Sequence, residues 1–246
     1  IEQRDSTLQI SYFNTEGDIS IQKFMIPSSE MYEWEYCDER DKDRDPIIRS
    51  WDGKSVKKRR SKFLSKWRLE EYLYGLPEDV THDIYEFNVP KKFFVDIEVE
   101  VTDEWPKPET AKFPITTIAF CRDERVIVMG TKPLSEKEIK SIQERINDYL
   151  KEKVDFSYMY FKSEYDMLYT FFHKAIQKMP VITGWNFVGF DWTYLINRCT
   201  RLGIDPKIAS PSRKLVGKEQ LPQHRLVVDY LDIYKKWDRV IDVKEN

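Results

Sequence analysis

Cysteine and histidine are scarce, with three of each in 246 residues. Cys37, Cys121 and Cys199 lie far apart with no Cys-x-x-Cys pair, which excludes a disulfide framework or a zinc ribbon. They read as reduced, structural thiols of a cytosolic protein. His82, His173 and His224 are scattered, so neither a zinc site nor a Ser-His-Asp triad is legible. No apolar stretch is long enough to span a bilayer and no signal peptide opens the chain, so nothing points to a membrane or to export. Neither sign of charge prevails: 40 Lys and Arg stand against 43 Asp and Glu, for a net −3. Net charge therefore argues neither for nor against a nucleic-acid partner, and local patches decide. Internal repeats and low-complexity tracts are absent too.

Apolar and aromatic side chains are plentiful, at 41% and 14%. A core can form without disulfides or metals, and the length suits one large or two medium domains. The chain opens on Ile1 rather than Met, as a trimmed product would. Its most informative stretch is Phe93-Phe94-Val95-Asp96-Ile97-Glu98-Val99, an apolar, β-branched run that reads as a strand. Side chains two apart on a strand share a face, so Asp96 and Glu98 project together while Val95 and Ile97 point the other way. Adjacent carboxylates repel unless a cation lies between them, and a divalent metal is the usual solution. The plainer reading is a strand with a wet polar face.

Ahead of that strand, Leu8 to Ile26 alternates as strands around a Gly17-Asp18 turn. Residues 30–45 carry eight acids and three bases and read as a solvated loop. Lys54 to Arg68 reverses the sign, with Lys57, Lys58, Arg59 and Arg60 in a row. The interleaved Phe63, Leu64, Trp67, Leu69, Tyr72 and Leu73 predict an amphipathic helix from near Ser61 to Gly75. Such a basic, aromatic-interleaved patch attracts phosphate backbones, or is simply a solvated face. Asn88-Val89-Pro90 reads as a junction, which divides the chain into residues 1–90 and 91–246.

After the carboxylate strand comes a loop stiffened by Pro106 and Pro108, carrying Trp105. Ile115–Phe120 and Arg125–Met129 read as strands, and Ser135 with Glu138 forms a capping box opening a helix. A short strand near Tyr158 and a helix opened by Ser163 follow, the latter burying Leu168, Phe171, Phe172, Ala175, Ile176 and Met179. Then Val181–Gly184 reads as a strand, and Trp185–Asp191 leads into a helix ending at Gly203, with Asp191 at the N-cap or in the first turn. A polar, basic stretch carrying Arg213, Lys214 and Lys218 comes next. Leu226–Tyr234 is a strand passing into a helical or loop segment, with Asp229 and Asp232 as additional carboxylates. Alternating strands and helices make the second half α/β, while the first half reads as a β-rich α+β unit with one good helix.

Asp-Ile-Glu on a strand, followed about ninety residues on by Gly-Trp-Asn-x-x-x-Phe-Asp, resembles the 3′–5′ proofreading exonuclease domain of family B DNA polymerases. Asp96 and Glu98 match the first exonuclease motif; Asn186, Phe190 and Asp191 match the second. Trp105-Pro106-Lys107-Pro108, Tyr160-Phe161 with Glu164, Ser210 to Lys214, and Asp229 to Lys236 narrow the likeness to the replicative polymerases of T-even-type bacteriophages. It is continuous from about Tyr85 to Trp237 and faint before that, where the family has its N-terminal domain.

The resemblance implies a ribonuclease-H-like fold, a mixed sheet with flanking helices, that hydrolyses a mismatched 3′ end with two Mg²⁺ or Mn²⁺ ions. Asp96 is then the ligand of both, Glu98 a ligand of the metal carrying the attacking water, and Asp191 a ligand of the other. Asn186 and Phe190 position the strand end, and Trp105 lies near the terminal base. Implied partners are single-stranded and primer–template DNA, the palm, fingers and thumb of a polymerase, and a sliding clamp, in the cytoplasm of an infected bacterium. The family's third motif, Tyr-x-x-x-Asp, is not found, and neither are the polymerase motifs Ser-Leu-Tyr-Pro-Ser and Asp-Thr-Asp. The site is thus expected to be incomplete toward the C-terminal end. The competing reading is a non-catalytic module that binds nucleic acid or docks a polymerase subunit.

Overall fold

The structure is a computed structural model describing residues 1–38, 47–102 and 104–237. The chain forms two compact units: Ile1–Thr15 with Ile19–Asn88, and Glu16–Asp18 with Val89–Asn246.

In the first unit β1 (Glu2–Arg4), β2 (Thr7–Phe13) and β3 (Ile19–Met25) form an antiparallel sheet in that order. A second sheet comprises β4 (Tyr32–Tyr36), β5 (Ile48–Arg49) and β6 (Ser55–Arg60), with β6 in the middle. Helices α1 (Lys66–Tyr74) and α2 (Glu78–Tyr85) follow. Leu8 and Ile10 alternate inward on β2 and are buried in one cluster with Leu64, Leu69 and Leu73.

Three expectations change here. Helix α1 begins at Lys66 rather than near Ser61, because Ser65 is its N-cap, the hydroxyl accepting from Arg68 N–H at 3.2 Å. Gly75 closes it as expected. Lys57–Arg60 lie on β6, where the 2-residue period splits them between two faces. The acidic stretch from Glu30 is not all loop: Glu33 and Glu35 on β4 stand opposite Arg59 and Lys57, and opposite charges facing across strands stabilise the pairing. Its remainder, residues 39–45, lies outside the described residues. Helix α2 is an element the sequence reading does not contain.

The second unit contains β7 (Lys92–Val99), β8 (Ile115–Arg122), β9 (Arg125–Gly130), α3 (Glu136–Leu150), β10 (Asp155–Tyr160), α4 (Glu164–Thr170), β11 (Val181–Gly184) and α5 (Thr193–Arg201). A small hairpin, β12 (Leu215–Val216) and β13 (Leu221–Pro222), precedes β14 (Leu226–Asp229) and α6 (Tyr230–Trp237). Six strands make one mixed sheet in the order β10-β9-β8-β7-β11-β14. Strands β7, β8 and β9 run antiparallel, and β10, β11 and β14 join by parallel pairing. Val95 and Ile97 of β7 are buried with Ile118 and Phe120 of β8, Ile182 of β11, and Leu168, Phe171, Phe172, Trp192 and Leu195 from the helical segments. Burying the odd positions of β7 leaves Phe94, Asp96 and Glu98 exposed on the opposite face.

The capping box of α3 is present, with Glu138 N–H bonded to the Ser135 hydroxyl and the Glu138 carboxylate returning to Ser135 N–H. The helix opened by Ser163 is not uniform. Beyond Thr170 it widens into a π turn at Phe171–Ala175 and tightens at Ile176–Lys178, yet Leu168, Phe171, Phe172, Ile176 and Met179 are all buried as their spacing requires.

Candidate active site

Strand β11 runs parallel to β7 only as far as Thr183, which stands opposite Phe94. At Gly184 it passes so close to β7 that an added Cβ would lie 2.6 Å from the Val95 carbonyl oxygen. Any side chain there would drive the strands apart, so only glycine fits. Beyond Gly184 the chain turns away, and the β7 edge would be left without a ladder partner. Asp191 takes that place: its Oδ1 accepts from Ile97 N–H at 3.1 Å. The carboxylate is thus bonded to the residue between Asp96 and Glu98.

Asp191 is buried, and burial is the main force pushing its carboxyl up to about 7. The charges of Asp96 and Asp229 push the same way, and the Ile97 N–H opposes them. Partial burial raises Asp96 as well. The face therefore carries carboxylates that repel one another and stay ionised more readily beside a cation. As a donor set it consists of hard oxygen atoms, the chemistry that suits Mg²⁺ or Mn²⁺.

Asp191 is carried by a wide π turn, Val188–Trp192, that runs directly into α5. It does not cap that helix; it lies in the first turn with its side chain committed to β7. Capping of the turn falls to Asp229, whose Oδ2 accepts from Val188 N–H (2.9 Å) and whose Oδ1 accepts from Leu231 N–H (3.0 Å). Asn186 is exposed and left-handed, with φ 53°, and its carbonyl accepts from Phe190 N–H (2.9 Å). Gly189 makes room for it, since a Cβ there would meet the Asn186 side-chain oxygen at 2.5 Å. The Phe190 ring lies 5.7 Å from that of Tyr194.

Residues 79–236 match the profile of the exonuclease domain of DNA polymerase family B. The chain belongs to this family. It is 33% identical over 167 residues to the DNA-directed DNA polymerase of Escherichia phage RB69, covering 58% of this chain and 18% of that polymerase. To the DNA-directed DNA polymerase of Enterobacteria phage T4 it is 36% identical over 95 residues, covering 32% and 10%. The chain thus spans less than a fifth of the length of these relatives.

Within this family B exonuclease domain, Asp96, Glu98 and Asp191 come together at β7, with Asn186 and Phe190 on the turn that delivers Asp191. Trp105 lies beyond the end of β7, with 78% of its surface exposed. Asp103 of its loop is outside the described residues. Lys57–Arg60 belong to the other unit. There Arg59 is paired with Glu35 (3.5 Å), and the Lys58 ammonium lies 4.1 Å from the Tyr32 ring centre. Among the described residues, the group of three potential ligands lying within 4.8 Å of one another is His82, Asp83 and Glu86, exposed on and just beyond α2 in the first unit. Asp96, Glu98 and Asp191 span a wider space. The capping role of Asp229 was missed: the sequence shows a carboxylate at a strand end, but not the helix start 41 residues earlier that it serves. No helix among the described residues is long and apolar enough to cross a membrane.

Proposed function

We propose that this chain is the proofreading portion of a phage DNA-directed DNA polymerase, removing mismatched nucleotides from a 3′ end. The observation that carries the reading is the Asp191–Ile97 bond, which supports a three-carboxylate site by joining residues 94 positions apart. Asp96, Glu98 and Asp191 would hold two divalent cations, Mg²⁺ or Mn²⁺. When bound, these supply an activated water and stabilise charge on the leaving 3′ oxygen. The chain's own residues do the rest. Asp96 and Glu98 share one strand face and present oxygen ligands side by side. Asp191 is kept in register by Ile97 N–H and would be ionised beside such cations. Asn186 and Phe190, on the left-handed turn, orient the end of the strand, and Trp105 stacks on a base. Lys57–Arg60 contact the DNA backbone. Single-stranded and primer–template DNA, the remaining polymerase domains and a sliding clamp are the partners, in the cytoplasm of the infected host. The family match does not favour a non-catalytic module.

The test is digestion of a 3′-labelled oligonucleotide with Mg²⁺ or Mn²⁺ and with chelator, by the intact polymerase and by its Asp96→Ala/Glu98→Ala variant. Metal-dependent shortening from the 3′ end is expected, together with its loss in a variant whose circular dichroism is unchanged. Full trimming by that variant would sink the assignment.

A further inference from the structure

Helix α5 has a second bonded face that the exonuclease reading does not use. Tyr194, Asn197, Arg198 and Arg201 follow at i, i+3, i+4 and i+7, one stripe of the helix. All four bond the backbone of the loop that leads from Trp105 to β8. Tyr194 Oη donates to the Phe113 carbonyl (2.8 Å) and accepts from Phe113 N–H (3.0 Å). Asn197 Nδ2 donates to the Pro108 carbonyl (2.9 Å). Arg198 Nη1 donates to the carbonyls of Ala111 (3.2 Å) and Lys112 (3.0 Å), and Arg201 Nη1 to that of Thr110 (3.4 Å). Arg198 also grips Glu164 through Nε (2.8 Å) and Nη2 (2.7 Å), and Glu164 accepts from Ile115 N–H (2.6 Å) at the start of β8. Ala111, wholly buried, is held at φ 41°, a strained conformation that persists only where the surroundings over-determine it.

This much bonding fixes a loop whose outer end contributes little to the core. That end is the exposed Trp105 indole, and it borders a groove of about 640 Å³ with Phe113, Lys107, Arg201, and Lys112 ion-paired to Glu104 (3.0 Å). Aromatic walls with surrounding cations are the chemistry that holds a nucleotide of a single strand.

We propose that Tyr194, Asn197 and Arg198, braced by Glu164, are positioning residues that hold the Trp105 groove in a shape that seats one nucleotide. They tie it to the helix that continues from Asp191. The inference rests on the exonuclease reading for its substrate. It predicts that loosening the loop weakens capture of the strand and leaves the hydrolytic step alone.

Tyr194→Phe is the test. It keeps the ring against Phe190 and removes both bonds to Phe113. With 5-fluorotryptophan at Trp105, the variant should show a narrowed resonance and at least tenfold faster exchange of the Phe113 amide. Oligonucleotide binding without metal should weaken three- to tenfold, and KM for trimming should rise by the same factor with kcat changed less than twofold. Equal losses in kcat and KM, or an unchanged resonance and affinity, would overturn the proposal. Should Tyr194→Phe not fold, Asn197→Ala is read by the same measurements. If the unaltered protein binds the oligonucleotide but never shortens it, the exonuclease reading fails, while weaker binding by the variant still upholds the positioning role.

Discussion

Replacing Asp191 by Asn should stabilise the metal-free protein at neutral pH and flatten its pH dependence. Asp191 is 5% exposed and accepts a hydrogen bond from Ile97 N–H. Asn is nearly isosteric and its Oδ1 can accept that bond, so the substitution removes little except the charge. Burial, and the nearby charges of Asp96 and Asp229, raise the carboxyl from an ordinary 3.8 to about 7. An acid with a folded value above its unfolded one is held protonated more tightly by the folded state. Its favourable contribution is complete below about pH 4 and is lost as pH rises through about 7. At about 1.4 kcal/mol per tenfold change, the full loss is roughly 4 kcal/mol, and about 2.5 kcal/mol of it falls between pH 5 and pH 8. Urea unfolding in chelator measures this, with 5-fluorotryptophan giving the buried Trp192 of the same unit its own resonance. The variant should lose about 2–3 kcal/mol less than the parent over that range. Added Mn²⁺ should stabilise the parent at pH 8 and help the variant far less, since a ligand stabilises only the state that binds it. Parallel pH curves for the two proteins would refute the argument, because Asp191 would then carry no unusual charge penalty.

Other positions make separate predictions. Gly184→Ala places a Cβ 2.6 Å from a backbone oxygen of β7, so it should cost at least about 1–3 kcal/mol in urea unfolding. Gly189→Ala meets only the end of the Asn186 side chain and gains about 1 kcal/mol of helix propensity, so stability should barely change while trimming falls. Arg198→Met leaves the half-buried Glu164 carboxylate without its cation and should cost about 2–4 kcal/mol; adding Glu164→Gln should recover part of that in a double-mutant cycle. Neutralising Lys57–Arg60 should weaken oligonucleotide binding and make its salt dependence shallower, and an unchanged salt slope would return the run to a solvated strand face.

The readable parts of this sequence are those whose signal is local. The alternation of Phe93–Val99 shows which side chains share a face, and burial of Val95 and Ile97 agrees with it. The Ser135–Glu138 box and the apolar spacing from Leu168 to Met179 are local in the same sense. What was not legible depends on partners distant in the chain. Lys57–Arg60 read only as a basic run with no strand period, and they lie on β6 where Glu33 and Glu35 of β4 stand opposite Arg59 and Lys57. Glu164 read as part of a helix start and of a resemblance; its role as the partner of Arg198 needs a bond across 34 residues. Trp105 was legible as an aromatic on a stiff loop, but the stripe that holds this loop lies on α5, more than 80 residues on.

The carboxylates reach β7 by two different routes, and Asp229 follows from that difference. Asp96 and Glu98 are held as firmly as the strand that carries them, which is paired with β8 from Phe94 to Val99 with a register shift just after Glu98. Asp191 is carried by a turn that begins where β11 has already left the sheet. A turn starting there has open N–H groups and no Ser, Thr or Asp of its own placed to cap them, since Phe187 precedes it. Asp229, at the end of the neighbouring parallel strand, lies opposite Gly184 in register and reaches Val188 N–H from outside. Its other oxygen caps α6 through Leu231 N–H, so both oxygens must accept and an amide could serve only one of the two. The same carboxylate that fixes the turn adds to the charge raising Asp191. Holding the Asp191 turn in place and making the Asp191 carboxyl costly to ionise are therefore two effects of one residue.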